Sequence, residues 1–278
     1  MDALAQIDAW PVGHAAAGVV KGSERWSHGE ADRRFKWASV TKLLTATATL
    51  IAAEEGALDL DEAAGPPGST VRHLLAHASG LPFDGPRPIS QPGKRRIYSN
   101  TGFDQLGAFL ESKAEMPFGD YLNAAVLEPL GLRGTALEGP PSSGLVGPLD
   151  DLLAFGRELQ APTLVAPETL DEATTVAFPG LSGILPDFGR YEPLDWGLGF
   201  EIRDAKEPHW TGTRNSQRTF GHFGGSGSFV WVDPETGVAC AALADRPFGQ
   251  WAKEAWPPLS DAVLGELLRA QACPRSSS

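Results

Sequence analysis

Ser39-Val40-Thr41-Lys42-Leu43-Leu44-Thr45-Ala46 opens the most apolar helical stretch of the chain. From Ser39 to Glu55, Leu43, Leu44, Ala46, Ala48, Leu50, Ile51 and Ala52 cover most of the helix circumference, and Gly56 supplies a C-terminal stop. A helix apolar on every side is a central, buried one. Ser39 and Lys42 stand three apart and so share a face of the first turn. An ordinary capping box would place Glu or Gln at the third position, where the helix dipole favours negative charge. Lys42 has the opposite sign and lies among apolar residues. Burial there depresses a lysine's pKa, and a neutral amine can accept the proton of Ser39. Taken alone, the four residues also fit a capping serine followed by a surface lysine.

Working outward, Ala15–Lys21 and Trp26–Phe35 read as a hairpin before this helix. After it, short helical stretches alternate with Gly/Pro turns: Val71–Ala78, Thr101–Ala114, Phe118–Val126 and Asp150–Leu159. Beyond Trp196 the pattern turns strand-like over Gly197–Arg203, Thr219–Phe223, Ser228–Val232 and Val238–Ala244. Leu259–Ala272 closes the chain as an amphipathic helix. Strands at both ends with helices between predict an α+β fold. Its sheet lobe comprises residues 1–55 and 191–278, its mainly helical lobe residues 56–190, and the active site lies between them.

The 278 residues are 42% hydrophobic and 21% charged, an ordinary globular composition. Lys+Arg 23 against Asp+Glu 35 gives a net charge of −12, which repels phosphate backbones and anionic lipid. No nucleic-acid or membrane partner is expected, and no apolar run is long enough for a spanning helix. The first twenty residues carry Asp2 and Asp8 and no basic residue, unlike a secretory leader, so the expected compartment is cytoplasmic. Cys240 and Cys273 are expected to be free thiols. His73 and His77 stand four apart, but Leu74 follows the first and no third ligand is evident, so both read as structural and no metal is expected. Lys94-Arg95-Arg96 reads as a solvated turn. No Gly-x-Ser-x-Gly elbow is present, since Gly224-Gly225-Ser226-Gly227 runs on into Ser228.

Two further elements gain meaning from their order. Tyr98-Ser99-Asn100 precedes a helix, and alone it would be a packed aromatic with an Asn cap. His222-Phe223-Gly224-Gly225 lies on a candidate strand, and alone it would be a structural histidine beside glycines that permit close backbone approach. Ser-x-x-Lys at 39, Tyr-x-Asn at 98 and a His-x-Gly element at 222 together resemble the serine β-lactamase superfamily. The similarity is to the class C β-lactamase-like branch, with its penicillin-binding-protein-like esterases and D-amino-acid-specific peptidases. Val71–Pro82 and Trp196-Gly197-Leu198-Gly199-Phe200 extend it over roughly residues 15 to 270.

The resemblance implies a serine β-lactamase/DD-peptidase-like fold, an antiparallel sheet flanked by helices with an inserted helical lobe. It implies Ser39 as nucleophile, with Lys42 and Tyr98 sharing its proton. Asn100 would hold Lys42 and the substrate. The N–H groups of Ser39 and Gly225, the latter following Gly224, would form an oxyanion hole. Water activated by Tyr98 would release the acyl group, and no cofactor is called for. His222 and Phe223 depart from the Lys and hydroxyl residue of penicillin-recognising members. The expected activity is therefore that of a serine hydrolase working through a Ser39 acyl-enzyme on small carboxylic esters. Alternatives are a D-amino-acid peptidase or amidase, a weak β-lactamase, or a non-catalytic acyl- or peptide-binding relative. The expected partner is a small-molecule ester or amide; the oligomeric state stays open.

Overall fold

The computed structural model describes residues 1–272. The chain opens with a 3-10 segment, Asp2–Ala9, then β1 (Ala15–Lys21), β2 (Glu24–Gly29) and β3 (Phe35–Lys36). A short 3-10 turn, Ala38–Val40, leads into α1 (Thr41–Glu54), followed by α2 (Val71–Leu75), β4 (Arg96–Ile97), α3 (Asn100–Ala114) and α4 (Phe118–Leu122). Next come β5 (Ala136–Leu137), β6 (Leu145–Gly147), α5 (Leu149–Glu158), α6 (Pro167–Ala173), β7 (Gly183–Leu185) and β8 (Gly189–Tyr191). The chain ends with β9 (Glu201–Ile202), β10 (Phe220–Gly224), β11 (Ser228–Asp233), β12 (Val238–Ala244) and α7 (Gln250–Ala272).

The main sheet is antiparallel throughout, in the order β2-β1-β12-β11-β10-β9. β1 pairs with β12 from Ala15↔Ala244 to Val20↔Ala239, so N- and C-terminal segments form one sheet. Side chains alternate across it. Phe220, Val230 and Val232 join the core beneath α1 and α5, whereas Phe223, Phe229 and Trp231 join the core with Trp256, Leu259 and Val263 of α7. α5 packs against β1 and β12 although it belongs to the helical middle of the sequence.

α1 is the axis of the molecule. Every residue from Thr41 to Ala52 is buried, as its all-round apolar pattern predicts. Its buried threonines stay satisfied: Thr47 Oγ1 donates to the Leu43 carbonyl at 2.9 Å and Thr49 Oγ1 to the Thr45 carbonyl at 2.9 Å.

Several elements differ from the sequence expectation. The second strand of the hairpin stops at Gly29, and Phe35–Lys36 pairs instead with β6 in a separate sheet, β3-β6-β5. A third small sheet, β4-β7-β8, was not expected either. Strands of two or three residues are too short to carry an alternating signal. Of the expected strand Gly197–Arg203 only β9 forms. α7 begins at Gln250 rather than Leu259 and runs through Pro257 and Pro258. The Cys240 thiol is free and buried; Cys273, and with it any bridge between them, lies outside the described residues.

The far end of β10 sets the position of Ser39. β9 pairs with β10 only at Phe220 and Gly221, so His222–Gly224 has no strand partner on that side among the described residues. Gly224 lies so close to the preceding loop that a Cβ there would sit 2.4 Å from the Trp37 carbonyl oxygen. Ser228 Oγ donates to that same carbonyl at 2.8 Å, and Ser226 Oγ to the Lys36 carbonyl at 2.6 Å. Ala38, held in the left-handed region at φ 46°, then turns the chain into Ser39.

This contact predicts a contrast between neighbouring glycines. Gly224→Ala forces backbone apart and should cost about 1–3 kcal/mol of unfolding free energy, by analogy with overpacking. Gly225→Ala meets nothing within 4 Å and should leave stability near that of the parent. Urea midpoints measure both; equal midpoints would remove the close approach as a constraint.

Candidate active site

Lys42 lies on the first turn of α1 and is fully buried. Its Nζ is 3.2 Å from Ser39 Oγ, 2.7 Å from Asn100 Oδ1 and 2.8 Å from the Ser142 carbonyl oxygen. Two of these neighbours are acceptors. A neutral amine has two N–H bonds for them and one lone pair left for the Ser39 hydroxyl. Burial pushes the Lys42 pKa from 10.5 down to about 7, with Asp104 and Asp84 opposing part of the fall. The nitrogen also lies 4.9 Å from the centre of the Tyr98 ring and 5.6 Å from that of Phe103.

Asn100 can reach Lys42 because it does not cap its own helix, contrary to the capping alternative considered for it. Ser99 does so: its Oγ accepts from Gly102 N–H at 2.9 Å and donates to the Pro82 carbonyl at 2.6 Å. Tyr98 is fixed from behind by two buried groups. The Arg96 guanidinium donates to the carbonyls of Ala76, Ala177 and Leu194, joining three separate segments. His77 Nδ1 accepts from Ser99 N–H at 3.1 Å, and its ring lies 4.5 Å from that of Tyr98. The structural role expected for His77 is thus at Tyr98-Ser99. His73 stacks on Phe178, 4.4 Å between ring centres, and its Nδ1 lies 2.9 Å from Thr70 Oγ1.

Burial raises the Tyr98 pKa above its ordinary value of 10, while a hydrogen bond with Ser39 acts the other way. The phenol therefore keeps its proton at neutral pH. It can pass a proton along, but standing alone it is a poor base.

His222 Nδ1 lies 2.6 Å from the Phe223 carbonyl oxygen, which can only accept, so Nδ1 carries the proton. Nε2 is then a bare lone pair, and it has no partner among the described residues. Burial and the Lys42 charge push the His222 pKa down to about 3, with Glu201 opposing. Glu201 is itself buried on β9, 3.0 Å from His209 Nε2 and 3.3 Å from Lys206 Nζ. Burial raises its pKa, but those two partners outweigh burial and hold it at about 2.

Ser39, Tyr98, His222, Phe223 and Gly225 converge on one cavity of about 120 Å³, with Phe83, Pro186, Asp187 and Trp196 completing its wall. Lys42 and Asn100 stand behind Ser39, and Gly224 lies in close approach to the Trp37 carbonyl. Phe223 borders the cavity but is 6% exposed; its ring packs on Phe248 at 4.8 Å and Phe188 at 5.8 Å. Strand alternation turns it toward α7, so it serves the core at least as much as the cleft. Sequence reasoning missed Ser142 and Asp104. Asp104 Oδ1 accepts from Ser142 N–H at 3.1 Å and so aims the Ser142 carbonyl at Lys42. A loop carbonyl leaves no residue-type signal. Phe83 and Asp187 were missed for a similar reason, since isolated loop residues show no period.

The arrangement can carry out acyl transfer: a hydroxyl beside a buried amine of low pKa, a neutral phenol, and a cavity open to a carbonyl group. Comparison with known proteins agrees. The family model described as Beta-lactamase matches residues 5–263. A β-lactamase from Mycobacterium bovis of known crystal structure is 50% identical, with a TM-score of 0.94 over 95% of this chain and 98% of that one. Penicillin-binding protein 4* of Bacillus subtilis is 25% identical over 249 residues, 73% of this chain and 53% of that protein. A putative D-alanyl-D-alanine carboxypeptidase of Salmonella enteritidis is 26% identical over 202 residues, 56% of this chain and 46% of that protein. The chain thus spans about half the length of these curated relatives. EstCE1, a hydrolase with promiscuous acyltransferase activity, shares the fold at a TM-score of 0.77 and 18% identity, over 94% of this chain and 96% of that one. Fold, site and sequence similarity lead to one conclusion: the chain belongs to the β-lactamase family of serine hydrolases.

Proposed function

We propose that the protein hydrolyses small carboxylic esters that carry no charge beside the scissile bond, through an acyl-enzyme on Ser39. The observation that carries the ester preference is His222, a neutral imidazole with a bare Nε2 where penicillin-recognising relatives place a lysine. A bare lone pair offers a carboxylate nothing. One hydrogen bond to a charged group is worth roughly 1.5–3 kcal/mol, so its loss disfavours substrates with a carboxylate at His222 by about 10- to 150-fold.

In this reading neutral Lys42 takes the proton of Ser39 as Oγ attacks the ester carbonyl. The oxyanion forms opposite the N–H groups of Ser39 and Gly225. As the C–O bond breaks, the alkoxide takes the Tyr98 proton, and Tyr98 is reprotonated from Lys42. Water then repeats the sequence in reverse: its proton passes through Tyr98 to Lys42, hydroxide oxygen bonds to the acyl carbon, and Ser39 recovers a proton as the acid leaves. Tyr98 serves as a relay rather than a phenolate, because burial favours its neutral form. Hydrolysis of β-lactams is the second reading, favoured by what the Mycobacterium bovis relative is named. The compartment expected from the sequence is cytoplasmic, and among the described residues no helix is long and apolar enough to cross a membrane.

Three outcomes follow. A fluorophosphonate probe should label the peptide containing Ser39, and Ser39→Ala should abolish labelling; labelling that survives removes the mechanism. Lys42→Ala and Tyr98→Phe should each lower kcat by about 10²–10⁴-fold. Their double variant should be little worse than either, because the groups act as one unit. Independent, multiplying losses would separate them. The profile of kcat/KM against pH should rise through a single limb near pH 7, where Lys42 loses its proton, with no limb from His222 between pH 5 and 9. A p-nitrophenyl acetate rate below that for an anionic cephalosporin would favour the second reading.

A further inference from the structure

A larger hollow of about 350 Å³ adjoins the catalytic cavity and shares Phe83, Tyr98 and Pro186 with it. Its floor is the small sheet β4-β7-β8. There the register sets Ile97 beside Ile184 and Ile184 beside Arg190, one row across three strands. Ile184 is 63% exposed, and across the hollow the loop residues Phe83 and Ile89 are 50% and 67% exposed. Three large apolar side chains turned to water around one hollow are unusual, because most of the other large apolar residues are buried.

The charge around the hollow is as uneven as its polarity. In a chain of net charge −12, the hollow is rimmed by Arg95 and Arg190. Arg190 pairs with Glu192 at 3.3 Å, whereas Arg95 is exposed and makes no ion pair among the described residues. Asp187 lies at the other end, in the wall of the cavity beside Ser39. An anion is thus repelled near the nucleophile and attracted at the far rim.

Resting on the ester reading above, we propose that this hollow binds the acyl chain of the substrate, an aliphatic chain that crosses Tyr98 and ends in a carboxylate facing Arg95. The acyl side is the one to hold. It stays on Ser39 through both steps, whereas the alcohol leaves after the first, so contacts with the acyl chain act on both. Burying a methylene is favourable, and an open hollow captures part of that gain.

Steady-state rates with p-nitrophenyl acetate, butanoate, hexanoate and octanoate test the apolar floor. kcat/KM should rise about twofold per methylene from butanoate to octanoate. Ile89→Ser combined with Ile184→Ser should flatten that rise while leaving the acetate rate unchanged, since both side chains are exposed and touch no reacting group. The p-nitrophenyl half-ester of octanedioic acid tests the rim: it should react faster than the octanoate at low salt, and Arg95→Gln should remove about threefold of that rate. Turnover of acetate with a flat chain-length series, or a series the serine variants do not change, overturns the hollow as acyl site and leaves the ester reading standing. A half-ester rate indifferent to Arg95 removes the anionic end. No turnover of any ester removes the reading beneath, and the inference with it.

Discussion

The burial of one amine organises this site. Lys42 sits at the head of a helix whose residues 41 to 52 are all inaccessible, and a charged ammonium there is costly. The fold answers by lowering its pKa to about 7 and by supplying two acceptors, Asn100 Oδ1 and the Ser142 carbonyl. What remains is a lone pair, and Ser39 stands 3.2 Å from it. Much of the surrounding structure keeps those partners in register. Ser99 caps α3 and so releases Asn100, Asp104 aims the Ser142 loop, and Gly224 with Ser228 presses the Trp37 segment against β10.

The second constraint is electrostatic balance inside a dry pocket. Lys42, His77 and His222 are near one another, and the presence of Lys42 further depresses both histidines. Only so many positive charges can share one buried volume. A lysine in place of His222 would add a second ammonium close to the first. Here the imidazole stays neutral, and its Nε2 offers an anion no donor. Glu201 does not reverse this, because its charge is already engaged by His209 and Lys206.

The parts legible in the sequence were those with a period or a forced residue type. α1 announced itself through apolar residues all round, and β12 through an unbroken apolar run bounded by turns. Ser39, Lys42, Tyr98 and His222 were singled out because three short motifs occur in a recognisable order, though each taken singly had an ordinary structural explanation. Backbone groups and loop tips were not legible. Ser142 contributes a carbonyl, which any residue could supply, and Phe83 lies in a loop of prolines and glycines. Phe223 was placed correctly on its strand, but which face it would serve depended on register. The structure turns it into the aromatic cluster with Phe248 and Phe188, so Phe223→Thr opens a hole in the core before it changes the cleft.

The central claim is that Lys42 is an uncharged base at working pH, and direct titration tests it without reference to any substrate. With 15N at lysine Nζ, the Lys42 resonance can be assigned by its loss in Lys42→Arg and followed between pH 5 and 11. The account predicts a midpoint near 7, well below that of the exposed lysines. A Lys42 resonance that titrates near 10.5 with the others would contradict it, leaving an ammonium beside Ser39 and no base to take its proton.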